Sequence, residues 1–157
     1  MNLSRIFILA VILLTGCDNT LKHLQELGKE SVNSYVAEFN GSDEELYVRA
    51  FSNASAADFM NENIPLFDCP DKELEKTYYF RWWTFRKPIK QTPNGYIISE
   101  FLPSVDWSEK YNSIACAEAH HIYEGRWLRD TQYIDSYSRF WFTEGNPRMY
   151  SFWSAKA

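Results

Sequence analysis

The sequence predicts a mainly α-helical domain carrying one small β insertion. Apolar residues recur at helical spacing from Leu21 to Phe39, from about Asn112 to Leu128 and from Tyr133 to Trp141, which places them on one side of a 3.6-residue helix. Helix-start residues stand where such segments begin. Asp71 precedes Glu73 and Glu75, and Asp130 precedes Tyr133, so short carboxylates can accept the N–H groups that a first turn leaves open. One segment reads instead as extended: Pro93-Asn94-Gly95 is a turn, and Tyr96 to Phe101 follows it as a short strand or arm ending at Pro103.

The chain opens with Arg5, an apolar run from Ile6 to Leu14 and the junction Leu14-Thr15-Gly16-Cys17. This order is that of an export signal, and the run is too short to cross a bilayer as a helix. Small residues before cysteine resemble the lipobox of bacterial lipoproteins, which would make Cys17 the lipidated first residue. We therefore divide the chain into a signal over 1–16, a lipid-anchored tether and helix start over 17–30, and a domain over 31–157. The expected location is the bacterial cell envelope, anchored through lipid and facing the periplasm or exterior.

Past the tether, Leu21, Leu24, Leu27, Val32, Tyr35 and Val36 form the first helical stripe, closed by Asn40-Gly41. Ser42 with Glu45 is a capping box that predicts a short helix through Leu46, Tyr47 and Val48, and Ser55 with Asp58 predicts another before Phe59 and Met60. Residues 63–70 read as a loop because they hold Pro65 and Pro70. The helix that Asp71 caps carries the aromatic run Thr77 to Arg86, apolar nearly all round, so it is expected to lie deep between layers. It must stop near Lys87, since Pro88 disfavours helical geometry before it. In the next helix Cys116, His120, Tyr123 and Trp127 share a stripe, with Ala117, His121, Glu124 and Leu128 beside it; in the last, Tyr133, Tyr137, Phe140 and Trp141 share a face, and Gly145-Asn146-Pro147 ends it.

Removal of residues 1–16 deletes one of 16 basic residues, leaving 15 against 21 acidic ones. That acidic balance, without a basic stripe, argues against nucleic acid as a partner and favours neutral ligands. With Cys17 committed to lipid, Cys69 and Cys116 remain; an exported chain folds where a disulfide persists, and whether these two pair is left open. His120 and Glu124 stand at i, i+4 with His121 adjacent, but no third ligand follows at metal spacing, so neither metal nor cofactor is expected.

Aromatic residues flank Arg81 and Arg86 throughout Tyr78 to Phe85. A ring can stack on the C–H face of a pyranose while a guanidinium bonds its hydroxyls, and the same atoms serve equally as core. A guanidinium among rings must find a partner, either a carboxylate such as Glu124 or a ligand hydroxyl.

Four segments in order, Thr77 to Arg86, Ile98 to Pro103, His120 to Leu128, and Arg139 to Phe142 with Tyr150 to Trp153, carry a family resemblance. Together they resemble the mannosylglycerate-hydrolase-like and trehalase-like glycoside hydrolases, related to families 63 and 37, from about Ser31 onward. The resemblance implies opening helical hairpins of an α/α six-hairpin toroid, as an incomplete piece, whose parent cleaves α-glucosides or α-mannosides with inversion. It implies that Arg81, Trp82, Arg86, His120, Glu124 and Trp127 line the sugar-facing side, with Trp83 packing outward. Inversion needs an acid and a base across the anomeric carbon. In the family these come from later helices, so the resemblance assigns no catalytic residue here; Glu100, Asp106, Glu124 and Asp130 read as capping, pairing or sugar-bonding groups. Pro88, Glu118-Ala119 and Lys156 depart from the family's pattern. An incomplete ring would leave apolar faces exposed, so self-association or a partner supplying the missing half is expected. The competing reading is a non-catalytic carbohydrate-binding or structural lipoprotein.

Overall fold

The computed structural model of the chain describes residues 22, 23 and 25–146. In order, they form α1 over residues 25–41, α2 over Ala56–Asn63, α3 over Lys72–Phe85, strands β1 (Ile89–Thr92) and β2 (Gly95–Ile98), α4 over Glu118–Gly125, and α5 over Gln132–Thr143. The architecture is mainly α with a small β insertion, as the periodicity predicts. Cys17, the lipobox, Leu21 and Leu24, and the segment from Pro147 through Tyr150 to Lys156 lie outside the described residues.

Helix α1 buries Val32, Val36 and Phe39 in the core and meets α3 through Phe39, which lies beside Phe80 and Trp83. Tyr35 stacks on Tyr79 at 5.3 Å and its hydroxyl donates to Glu75 at 3.1 Å, while further along Trp83 Nε1 donates to Asn40 at 2.8 Å. The two helices therefore run side by side in the same sense. Asp71 caps α3 as predicted, accepting from the backbone N–H groups of Glu73 (3.1 Å) and Leu74 (3.2 Å). The expectation of a helix enclosed on all sides is corrected: Tyr79, Trp82, Trp83 and Phe85 are buried, but Leu74 is 53% and Phe80 47% exposed. Trp83 is buried. It is 4% exposed and lies beside Phe39 and Phe80.

The capping-box helix through Leu46, Tyr47 and Val48 does not form. Glu45 takes φ 49°, and Ser42 Oγ donates back to Phe39 O at the end of α1 (3.0 Å). Ser42 is spent closing α1 and Glu45 accepts from Asn53 N instead, and residues 43–49 run without regular structure. The start at Ser55 holds, since α2 begins at Ala56.

The β insertion is a two-residue hairpin, with Thr92 paired to Gly95 and Ile89 to Ile98. Sequence reading missed β1 and carried β2 three residues too far. Gly95 adopts φ 121°, a conformation glycine enters without strain. A Cβ there would lie 2.5 Å from Ser136 Cβ, and Ser136 Oγ accepts from Tyr96 N at 2.9 Å, so α5 seats directly on β2.

Helix α4 starts later than its stripe suggests. Short 3-10 turns occupy Lys110–Asn112 and Ala115–Ala117, Tyr111 and Asn112 take positive φ, and the α-helix begins at Glu118. Asn112, with its side-chain amide donating to Phe101 O (2.8 Å) and its oxygen accepting from Val105 N (3.0 Å), ties down the loop that replaces the expected helix. The aromatic face of α5 is buried as predicted: Tyr133, Tyr137, Phe140 and Trp141 all point inward.

Candidate functional site

The predicted site residues fall on two elements that meet. Arg81, on the exposed side of α3, forms an ion pair with Glu124 of α4. The carboxylate partner expected for a guanidinium among rings is therefore present, joining the aromatic helix to the His-Glu helix. Burial pushes the Glu124 carboxyl above its ordinary range, and Arg81 opposes that rise. Behind the pair, His121 Nδ1 stands 3.2 Å from the Tyr137 hydroxyl. Burial, then Arg81 and His120, pull the His121 imidazole down to about 4, so it is neutral at neutral pH. Burial likewise holds Tyr137 protonated.

The remaining predicted residues separate. Trp82 is 5% exposed, set edge-on to Phe85 at 5.5 Å, and belongs to the core. Arg86 is 1% exposed; its guanidinium donates to Phe51 O at 3.0 Å and to Asn53 Oδ1, with the Trp83 ring 5.1 Å away. Burial pulls Arg86 down to about 10, with Glu45 and Asp43 opposing. Its partner is thus a loop carbonyl and an amide, not Glu124. His120 is exposed on α4, and Trp127, just past the end of α4, is 60% exposed.

Two residues near Trp127 were not singled out from sequence. The Arg126 guanidinium lies 5.2 Å from the Tyr123 ring and 5.3 Å from the Trp127 ring, and Tyr123 is itself 43% exposed. The i, i+3 spacing of Tyr123 and Arg126 on a helix end was the available signal. The Arg81–Glu124 pair and these exposed side chains are carried by α3, α4 and the residue just past α4, and are termed the α3–α4 ledge. A groove of about 380 Å³ lies elsewhere, between α1 and the 66–68 loop, lined by Leu27, Gly28, Leu66 and Phe67.

The cysteines do not pair. Cys69 and Cys116 are free, partly buried thiols. The Cys69 N–H donates to Glu75 at 2.8 Å, and Cys116 Sγ lies 3.7 Å from Glu100; burial, and then the Glu100 charge, push the thiol up. Among the described residues no cluster of three or more His, Cys, Asp or Glu is arranged for a metal, and no helix is long and apolar enough to cross a membrane. Asp130, one local carboxylate, caps α5 by accepting from Gln132 N at 3.0 Å.

No family model and no curated protein matches this chain. Among solved structures it is similar to a chain named "Sialidase", at 49% sequence identity and a TM-score of 0.71 over 76% of its own length. It spans 11% of the length of that structure.

Proposed function

We propose that this chain is a glycoside-hydrolase-related helical module that holds carbohydrate on its α3–α4 ledge. The observation that carries the reading is the 49% identity and shared fold with a protein that is, by its name, a glycosidase. The ledge supports it chemically. Exposed rings at Trp127 and Tyr123 offer faces for pyranose C–H groups, and the Arg81–Glu124 pair offers donors and acceptors for hydroxyls.

In its finer form, the proposal follows the resemblance in the sequence: a piece of an inverting α-glycosidase of the six-hairpin class, acting on α-glucosides or α-mannosides and tethered to the cell envelope through Cys17. Inversion requires two carboxyl groups roughly 6.5–9.5 Å apart across the sugar. Glu124 is engaged by Arg81 and Asp130 by the first turn of α5, so in this reading the chain grips sugar and another segment cleaves it.

Titration of the full chain with methyl α-glucoside and methyl α-mannoside, followed by calorimetry, tests the grip. Binding in the millimolar range that weakens at least fivefold in Trp127→Ala supports it, and no binding of either sugar defeats it. Turnover of an aryl α-glycoside that is lost in Glu124→Gln would defeat the assignment of cleavage to another segment. A second reading, a structural lipoprotein without a sugar ligand, is favoured by the burial of Trp82 and Arg86. It predicts that neither sugar binds while the chain melts cooperatively.

A further inference from the structure

The dipeptide Asn-Gly occurs twice in the chain, at Asn40-Gly41 and at Asn94-Gly95. In such a pair a side-chain amide sits beside a backbone nitrogen whose residue has no Cβ, so that nitrogen approaches the amide carbon unhindered. The fold treats the two pairs differently. Asn40 lies in the last turn of α1, half-buried, its amide donating to Asn53 O at 2.8 Å and its oxygen accepting from Trp83 Nε1 at 2.8 Å. Both ends of that side chain are spent in packing, and Asn40 and Gly41 are both held in helix. Asn94 stands at the exposed tip of the hairpin, where Thr92 Oγ1 accepts from Asn94 N at 3.3 Å and donates to Gly95 O at 2.8 Å. Water reaches this tip, and such a turn opens locally without disturbing the core. The Asn94 amide donates to Glu144, the residue that ends α5, and Lys110 pairs with the same carboxylate. Glu144 thereby joins the hairpin, α5 and the 3-10 turn at Lys110.

We propose that Asn94 is a modification site at which the side-chain amide is lost, untying the hairpin from the end of α5. The Gly95 nitrogen attacks Asn94 Cγ: a C–N bond forms, the Cγ–Nδ2 bond breaks, and ammonia leaves with the proton of the Gly95 N–H. Water then opens the resulting succinimide at either carbonyl, returning a proton to the nitrogen. The product is aspartate or, where the main chain now runs through the former side chain, isoaspartate. Water is the only co-reactant, and nothing is oxidised or reduced. Either product removes the donor to Glu144 and sets a second carboxylate beside it, a like-charge contact that Lys110 only partly offsets. Isoaspartate also lengthens the backbone by one carbon just before Gly95, where the missing Cβ lets Ser136 approach, so the seat of α5 on β2 loosens. This chemistry requires no sugar ligand and stands apart from the carbohydrate reading.

The test incubates the full folded chain in mildly alkaline buffer beside a sample unfolded in urea. Tryptic mapping by mass spectrometry then follows amide-to-acid conversion, with fragmentation that distinguishes aspartate from isoaspartate. The expected result is conversion at Asn94 about tenfold faster than at Asn40 in the folded chain, and comparable rates at the two once the chain is unfolded. Equal rates in the folded chain overturn the proposal, and so does an unchanged Asn94 while the unfolded sample converts. Asn94→Asp supplies one product directly and is expected to melt a few degrees below the unmodified chain. In a double-mutant cycle with Glu144→Gln, the cost of Asn94→Asp should fall by more than half, because the like charge is gone. An Asn94→Asp melt matching that of the unmodified chain would overturn the untying of the hairpin, whatever the rate of conversion.

Discussion

Glu75 shows how one side chain organises its surroundings. It is 3% exposed yet accepts from Tyr35 of α1, from Cys69 N in the preceding loop at 2.8 Å, and from Lys72 one turn back at 2.7 Å. Burial raises its carboxyl, but those three donors outweigh it and hold the group below its ordinary value. A depressed acid contributes stability above its unfolded value, near 4.5, and loses it as the pH falls through the folded one. Glu75→Gln is expected to cost about 1–3 kcal/mol at neutral pH, read from a urea melt. Arg86 poses the same question for a cation. Its fork serves Phe51 O and Asn53 together, which a single ammonium cannot match. Arg86→Lys should lower the melting temperature by several degrees and leave sugar affinity unchanged; a selective loss of affinity would return Arg86 to the ligand-facing side.

At the scale of elements, α3 depends on its start and the hairpin on its turn. Asp71→Ala removes the acceptor for two N–H groups and should cost about 1 kcal/mol. Gly95→Ala is worse, because φ 121° strains a side chain and the added Cβ meets Ser136; a loss of about 2 kcal/mol or more is expected. The α4–α5 contact has its own signature. His121 beside Tyr137 titrates near 4 in the folded chain against 6.5 unfolded. As the pH drops below 6.5 the unfolded chain takes up a proton that the folded chain refuses, so stability falls between pH 6.5 and 4, by on the order of 3 kcal/mol. Denaturant melts across that range should show the slope in the unmodified chain and a shallower one in His121→Phe. An unchanged slope would mean that His121 is not the group responsible.

For the whole molecule, the exposed apolar side chains decide behaviour in solution. Leu46 is 75%, Val48 54%, Trp107 63% and Phe142 69% exposed. Scattered singly such residues are ordinary, but Leu46, Tyr47 and Val48 are consecutive on an irregular segment. Sedimentation velocity is expected to show concentration-dependent association, relieved by Leu46→Lys with Val48→Glu. A monodisperse monomer at high concentration would refute it. Attachment of lipid is tested on the same scale: palmitate labelling in a bacterial host should mark the chain and be lost in Cys17→Ser.

Much of this was legible in the residues. Asp71 as a cap, the buried stripe Val32, Val36 and Phe39, and the face Tyr133, Tyr137, Phe140 and Trp141 followed from period and local chemistry, because such signals act over a few residues. The Arg81–Glu124 pairing was legible too, since a guanidinium among rings needs a carboxylate. Tertiary structure alone decided the rest. It split the Ser42–Glu45 box between the end of α1 and Asn53, delayed α4 to Glu118, kept Cys69 and Cys116 apart, and sent Arg86 inward while Arg81 stayed at the surface. Two arginines five positions apart on one helix end carry the same local pattern of rings. Which of them meets water depends on what arrives from distant segments, Phe51 and Asn53 for one and Glu124 for the other, and long-range packing of that kind leaves no local mark.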